Sequence, residues 1–214
     1  MLKEWADIAQ SASIILASLF AVYGIDAWRR EFIGKRRMEL AEEVLALFYQ
    51  ARDILQAIRS PFGYVGEGAT RKASDTERPE DKDALDHAFV LIERYNKHID
   101  TFSRIHALRY RFMAQLGSDA ATPFNDLNGV VNELILASRQ MARLSTRPDR
   151  SFRTEADIEK HQREMEKVDA VFYSGSENDP IEPRVEAIVA KMERTCKAII
   201  ESRGTLFSVF NRRV

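Results

Sequence analysis

The sequence predicts an all-α protein: an N-terminal transmembrane helix that continues into an antiparallel four-helix bundle with one inserted shorter helix. Three observations carry this. Charged residues make up 30% of the 214-residue chain, yet it holds only nine Gly and six Pro. That balance suits long solvated helices and leaves too few turn signals for a β-sandwich. Apolar residues recur at spacings of three and four, and nowhere alternate with period two for long enough to make a strand. An uncharged run, residues 8–25, lies between Asp7 and Asp26.

This run, IAQSASIILASLFAVYGI, makes about 27 Å of helix at about 1.5 Å per residue, close to the hydrocarbon thickness of a bilayer. Trp5 precedes it and Tyr23 and Trp28 end it, where amphipathic aromatics prefer the interface. Arg29, Arg30, Lys35, Arg36 and Arg37 follow, opposed only by Glu31. The positive-inside rule then places the N-terminus outside and the body in the cytoplasm, giving an inner-membrane protein with a single span. A cleaved signal peptide fits poorly, because Glu4 and Asp7 accompany the one basic residue, Lys3. A buried core helix is the competing reading, since Gln10, Ser11, Ser13 and Ser18 dilute the run. Ala9, Ser13, Ala17 and Ala21 put small side chains on one face, a pattern that permits close helix approach and self-association.

From Trp28 to Arg59 there is no Pro and only Gly34, so anchor and first cytoplasmic helix are expected to be continuous. Ala41, Val44, Phe48, Ala51, Leu55 and Ile58 form its apolar seam, and Ser60-Pro61 ends it. After a charged, Gly-rich loop at 60–79, a second helix is expected from Glu80 to Leu116, with Gly117 at its C-cap. Its seam reads Leu85, Ala88/Phe89, Ile92, Tyr95, Ile99, Phe102, His106, Tyr110 and Met113. Thr122 as N-cap and Pro123 as first residue open a third helix that buries Phe124, Leu127, Val131, Leu134 and Met141. Thr154 caps a fourth, with the stripe Ile158, His161, Met165, Val168 and Phe172. Asp179-Pro180-Ile181-Glu182 starts the last, which buries Val185, Ile188, Met192, Cys196 and Ile199. The expected domains are 1–30, anchor and basic junction; 31–203, helical bundle; and 204–214, an aromatic and basic tail. Up-and-down order places the 60–79 loop and the 145–180 region together at the cytosol-facing end. The tail, with Leu206, Phe207, Val209, Phe210, Arg212 and Arg213, would lie near the bilayer or pack on the bundle.

Chemistry is sparse. Thirty-two basic and 33 acidic residues leave a net charge of −1, so dedicated nucleic-acid binding is not expected. A single cysteine excludes an intramolecular disulfide framework and a Cys-based zinc site. No Glu-x-x-His pair, zincin motif, Walker A loop or nucleophile elbow occurs, so neither metal nor cofactor is expected. Two weak ligand-binding candidates remain. In the loop Gly63–Lys72, glycines free backbone N–H groups for an anion, with Arg71 and Lys72 adding charge. Arg94 and His98 share a helix face one turn apart. His106 and His161 fall on apolar stripes and are read as core histidines.

The Arg94-Tyr95-Asn96-Lys97-His98 segment resembles the Arg–His motif of HEPN ribonucleases, although only three residues separate Arg from His where that family has four to six. The layout of span, basic junction Trp28-Arg29-Arg30 and helical body resembles a loosely defined group of bacterial membrane proteins of unknown function. It is more remotely similar to CRISPR-associated membrane accessory proteins, which couple a span to a HEPN-like bundle and form pores. The reading from the residues is a non-enzymatic, membrane-anchored and self-associating module with a cytoplasmic protein partner. A pore-forming effector, with Gln10, Ser11 and Ser18 lining a polar path, is the alternative the resemblance implies, and a membrane-tethered ribonuclease the third.

Overall fold

A computed structural model describes residues 2–147, 154–176 and 178–201, with side chains from Ser13 onward. The described residues form α1 (Leu2–Ile58), α2 (Lys82–Lys97), α3 (Ile99–Leu116), α4 (Thr122–Ser145), α5 (Glu155–Phe172) and α6 (Glu182–Glu201), with no strand. The chain divides into two compact units, Met1–Glu42 with Lys197–Val214, and Glu43–Cys196.

In the first unit, α1 runs unbroken through the expected junction, as the lack of Pro predicts. Its apolar residues face outward on every side: Ile14, Ile15, Leu16, Leu19, Phe20, Val22, Tyr23 and Ile25 are all more than half exposed. Among the described residues no helix is long and apolar enough to cross a membrane. The uncharged run of 8–25 lies partly outside that description, because the side chains of residues 1–12, Ala9 included, fall outside it. The tail of 204–214 lies outside it too.

The second unit is built around α4. Phe124 meets Phe48 of α1 edge-on at 5.1 Å between ring centroids and Phe112 of α3 at 5.4 Å. Phe124, Leu127, Val131, Leu134 and Met141 are buried as expected, and so are Val44, Phe48, Ala51, Leu55 and Ile58 of α1. Both α2 and α5 pack against α4. The buried Ser138 hydroxyl meets its hydrogen-bonding need by donating to the Ala88 carbonyl at 2.6 Å. Arg184 of α6 reaches Glu133 of α4 at 2.6 Å, and Val185, Ile188, Met192 and Cys196 are buried.

Several expectations are corrected. The single helix from Glu80 to Leu116 is two, broken at His98 (φ −117°, ψ 13°). There the His98 N–H donates to the Tyr95 carbonyl and the Thr101 N–H to that of His98, bonds of three-residue span. Such turns wind by about 120° per residue rather than about 100°, so the phase of the apolar seam resets. Phe102 is buried as expected, but Ile105, Leu108 and Phe112 continue the buried face, while Ile99, His106 and Tyr110 are exposed. His106 is therefore not a core histidine. In α5 only Val168 and Phe172 of the expected stripe are buried, and Ile158 is exposed.

Caps divide similarly. Gly117 takes the C-cap of α3 at φ 92°, and Thr154 forms a full capping box with Asp157. Thr122 does not cap α4. A 3-10 turn at Ser118–Ala121 precedes it, and the Thr122 hydroxyl donates back to the Asp119 carbonyl at 2.8 Å. Pro180 is not the first residue of α6, which starts at Glu182. Asp179 still acts as the cap, accepting from the N–H groups of Ile181 and Glu182.

Candidate functional site: a braced loop and its grooves

The 60–79 loop, the N-terminal part of α2 and the segment after α5 meet at one end of the second unit. Three arginines hold them. Arg59, 3% exposed, donates to the carbonyls of Ala170, Val171 and Tyr173 and to the Asp179 carboxylate at 2.6–3.0 Å. Its own carbonyl accepts from the Ser174 N–H at 2.8 Å. Burial disfavours the Asp179 charge, but Arg59 and the two capping N–H groups outweigh it and hold the carboxyl below its ordinary range.

Arg94 braces the loop from the other side. It donates to the carbonyls of Ile58, Ser60 and Phe62 and pairs with Glu67 at 2.6 Å. That bond, against burial, holds the Glu67 carboxyl below its ordinary range. Arg71 makes a two-pronged bond to Glu77, both distances 2.6 Å, and a third to Asp86 at 2.9 Å. Glu93 accepts from the Thr70 hydroxyl at 2.7 Å and the Gly68 N–H at 2.9 Å, which with Lys97 lowers its pKa. Gly68 is required here: at φ +86° a Cβ would lie 2.0 Å from the Asp86 carbonyl oxygen.

These bonds place the sequence-predicted candidates. Arg71 sits in a carboxylate clamp, so it is not poised for an added anion, and the Gly68 N–H already has a carboxylate acceptor. Lys72 is exposed, and neither it nor Arg71 lines the grooves of this end. Arg94 and His98 do not share a helix face, because α2 ends at Lys97 and His98 is its C-cap, but both line one groove of about 460 Å³. Arg94 serves there as a brace, its donors turned to loop carbonyls and Glu67. On α1, Ser13, Ala17, Ala21, Arg29 and Arg30 are exposed; Arg30 pairs with Asp26, and exposed Trp28 stacks on Phe32 at 5.8 Å.

Sequence reasoning missed the residues that define the surface. The braced loop holds Phe62, Tyr64 and Val65 almost fully exposed, at 84%, 85% and 108%. A second groove of about 560 Å³ runs beside them, with His87, Phe172 and Tyr173 in its wall. His87 Nε2 is hydrogen-bonded to the Tyr173 hydroxyl, and its ring stacks on Phe172. Burial, reinforced by nearby Asp169, pushes the Tyr173 phenol up, so it stays protonated. The only signal in the sequence is an apolar triplet inside a glycine loop. No cluster of three or more His, Cys, Asp or Glu suited to a metal occurs among the described residues.

Cys196 lies apart from this end, fully buried, and burial pushes its thiol up to about 12. A maleimide reagent is therefore expected to label it only as the bundle unfolds, with the labelled fraction tracking the loss of helical signal in urea. Rapid labelling of the native protein would show that α6 opens locally.

Compared with known protein families, curated proteins and solved structures, the chain matches none.

Proposed function

We propose that the chain is a membrane-anchored, non-enzymatic interaction module, held by α1 and presenting the braced loop end to a protein partner in the cytoplasm. The observation that carries this reading is the outward apolar surface of α1 between Ile14 and Ile25. A helix apolar on all faces is stable when buried in a larger core or in lipid. Trp28 and the basic residues Arg29, Arg30, Arg36 and Arg37 follow it, as at a cytoplasmic membrane interface. In the braced loop, side chains held outward by a charged scaffold suit recognition better than reaction. Self-association along the Ala9, Ser13, Ala17 and Ala21 face belongs to the same reading.

The pore alternative finds less support. Ser18, one of its three polar residues, donates its hydroxyl to the Ile14 carbonyl at 2.8 Å, so its polarity is met within the helix. The ribonuclease reading needs Arg94 to be free for substrate, and its donors face the loop and Glu67.

The test is Phe20→Arg, a charge at the middle of the run. A central Arg costs about 2.5–3.5 kcal/mol on insertion scales, enough to defeat a short, diluted span. The native chain should stay in the membrane pellet after alkaline carbonate extraction, and the variant should move to the supernatant or aggregate. Native protein in the supernatant would overturn the anchor.

A further inference from the structure

We propose that the groove between α3 and α4 is a binding site for a small carboxylate with an apolar body, its anion met by Arg109. The groove encloses about 350 Å³, within the range of small-molecule sites. Phe102, Ile105, Phe124, Leu127 and Val131 make its apolar wall, and each is buried. Its polar groups are the Arg109 guanidinium, the His106 imidazole, the Ser103 hydroxyl, the Asn128 amide and the Tyr95 phenol. No Asp or Glu lines it.

Charge complementarity selects the occupant. Arg109 Nε is shielded from solvent and has no hydrogen-bond partner among the described residues. No ion pair joins Arg109 to a described carboxylate, whereas its neighbours Arg104 and Arg111 both reach Glu43. Shielded as it is, Nε is not the group a ligand reaches from the groove; a carboxylate would instead pair with the outer N–H groups of the guanidinium, which no described carboxylate meets, through charge-assisted bonds. A neutral apolar ligand would fill the groove without that pairing, and a cationic one would be repelled.

The break at His98 explains why the groove exists. By resetting the phase of α3, it leaves Ile99 and His106 at the groove instead of packed beneath a helix. The site is separate from the braced loop end, and the inference does not rest on the membrane anchor.

Octanoate is the probe, titrated calorimetrically into the purified full chain, with the heat of dilution into its buffer subtracted. Saturable binding is expected, with octanol at least about tenfold weaker, since a hydrogen bond to a charged group carries about that discrimination. Arg109→Met should weaken octanoate about tenfold and leave octanol unchanged, while Arg109→Lys keeps part of the preference. Ser103→Phe, at an exposed position beside the opening, should abolish both. Absence of saturable binding, equal affinity for octanoate and octanol, or an unchanged octanoate affinity in a folded Arg109→Met protein would each overturn the proposal. If Arg109→Met fails to fold, the octanoate-to-octanol ratio of the native chain and its loss in Ser103→Phe decide the matter.

Discussion

Arg59→Met is expected to destabilise the Glu43–Cys196 unit by about 3–5 kcal/mol, the usual loss when one partner of a buried ion pair is removed. The substitution keeps most of the aliphatic volume, so the loss reports on polar contacts. It strands three carbonyls and the Asp179 carboxylate, whose side chain is only 6% exposed. Asp179 Oδ1 accepts every bond described for this carboxylate, and Oδ2 is buried with no partner among the described residues. Adding Asp179→Asn to Arg59→Met should therefore recover part of the loss by removing the unpaired charge. Urea unfolding followed by helical signal measures both, and a single-variant loss below about 1 kcal/mol would mean that water replaces the guanidinium. Acid provides a second readout. Because the folded Asp179 pKa lies below its unfolded value, its contribution is present above the ordinary carboxylate range, near pH 3.9. It is lost as pH falls from there through the depressed value. The native protein should weaken over that window more steeply than Arg59→Met.

Gly68→Ala is expected to release the braced loop, at a cost of at least about 2 kcal/mol. A non-glycine residue in the left-handed region costs about 1–2 kcal/mol by itself. The added Cβ would also press on backbone, at 2.0 Å from the Asp86 carbonyl oxygen, so the loop must lift. Lifting pulls the Gly68 N–H and the Thr70 hydroxyl from Glu93. Gly66→Ala is the control, with a similar φ of +89° but nothing within 4 Å of its new Cβ. Limited proteolysis should cut the 60–79 loop far faster in Gly68→Ala than in Gly66→Ala. Equal rates would show that the contact with Asp86 does not hold the loop.

The helical class and most of the core were legible because they follow local rules. The seam from Val44 to Ile58, the Gly117 cap and the Thr154 box each depend on residues within a turn or two. The break at His98 was illegible for a complementary reason: no Pro or Gly marks it, and the apolar spacing runs on through it. Tertiary packing chose the phase of α3, and Ile99, His106 and Tyr110 ended up outside the core. The arginine brackets were hidden for a third reason. Nothing local marks Arg59, and Arg94 reads as a ligand-binding candidate, since their partners lie far along the chain. Arg94 and His98 line one groove, but nothing in their spacing hints that Arg94 faces carbonyls.

The Arg59 bracket also sets a timetable for synthesis. Its partners lie 111 to 120 residues downstream. At about 5–20 residues per second, the ribosome takes roughly 5–25 s to deliver them after Arg59 itself has emerged. Throughout that interval Val44, Phe48, Ala51 and Leu55 have been translated while the segment that locks their helix has not. A message truncated before the Asp179 codon yields a product in which the Arg59 guanidinium lacks its carboxylate partner.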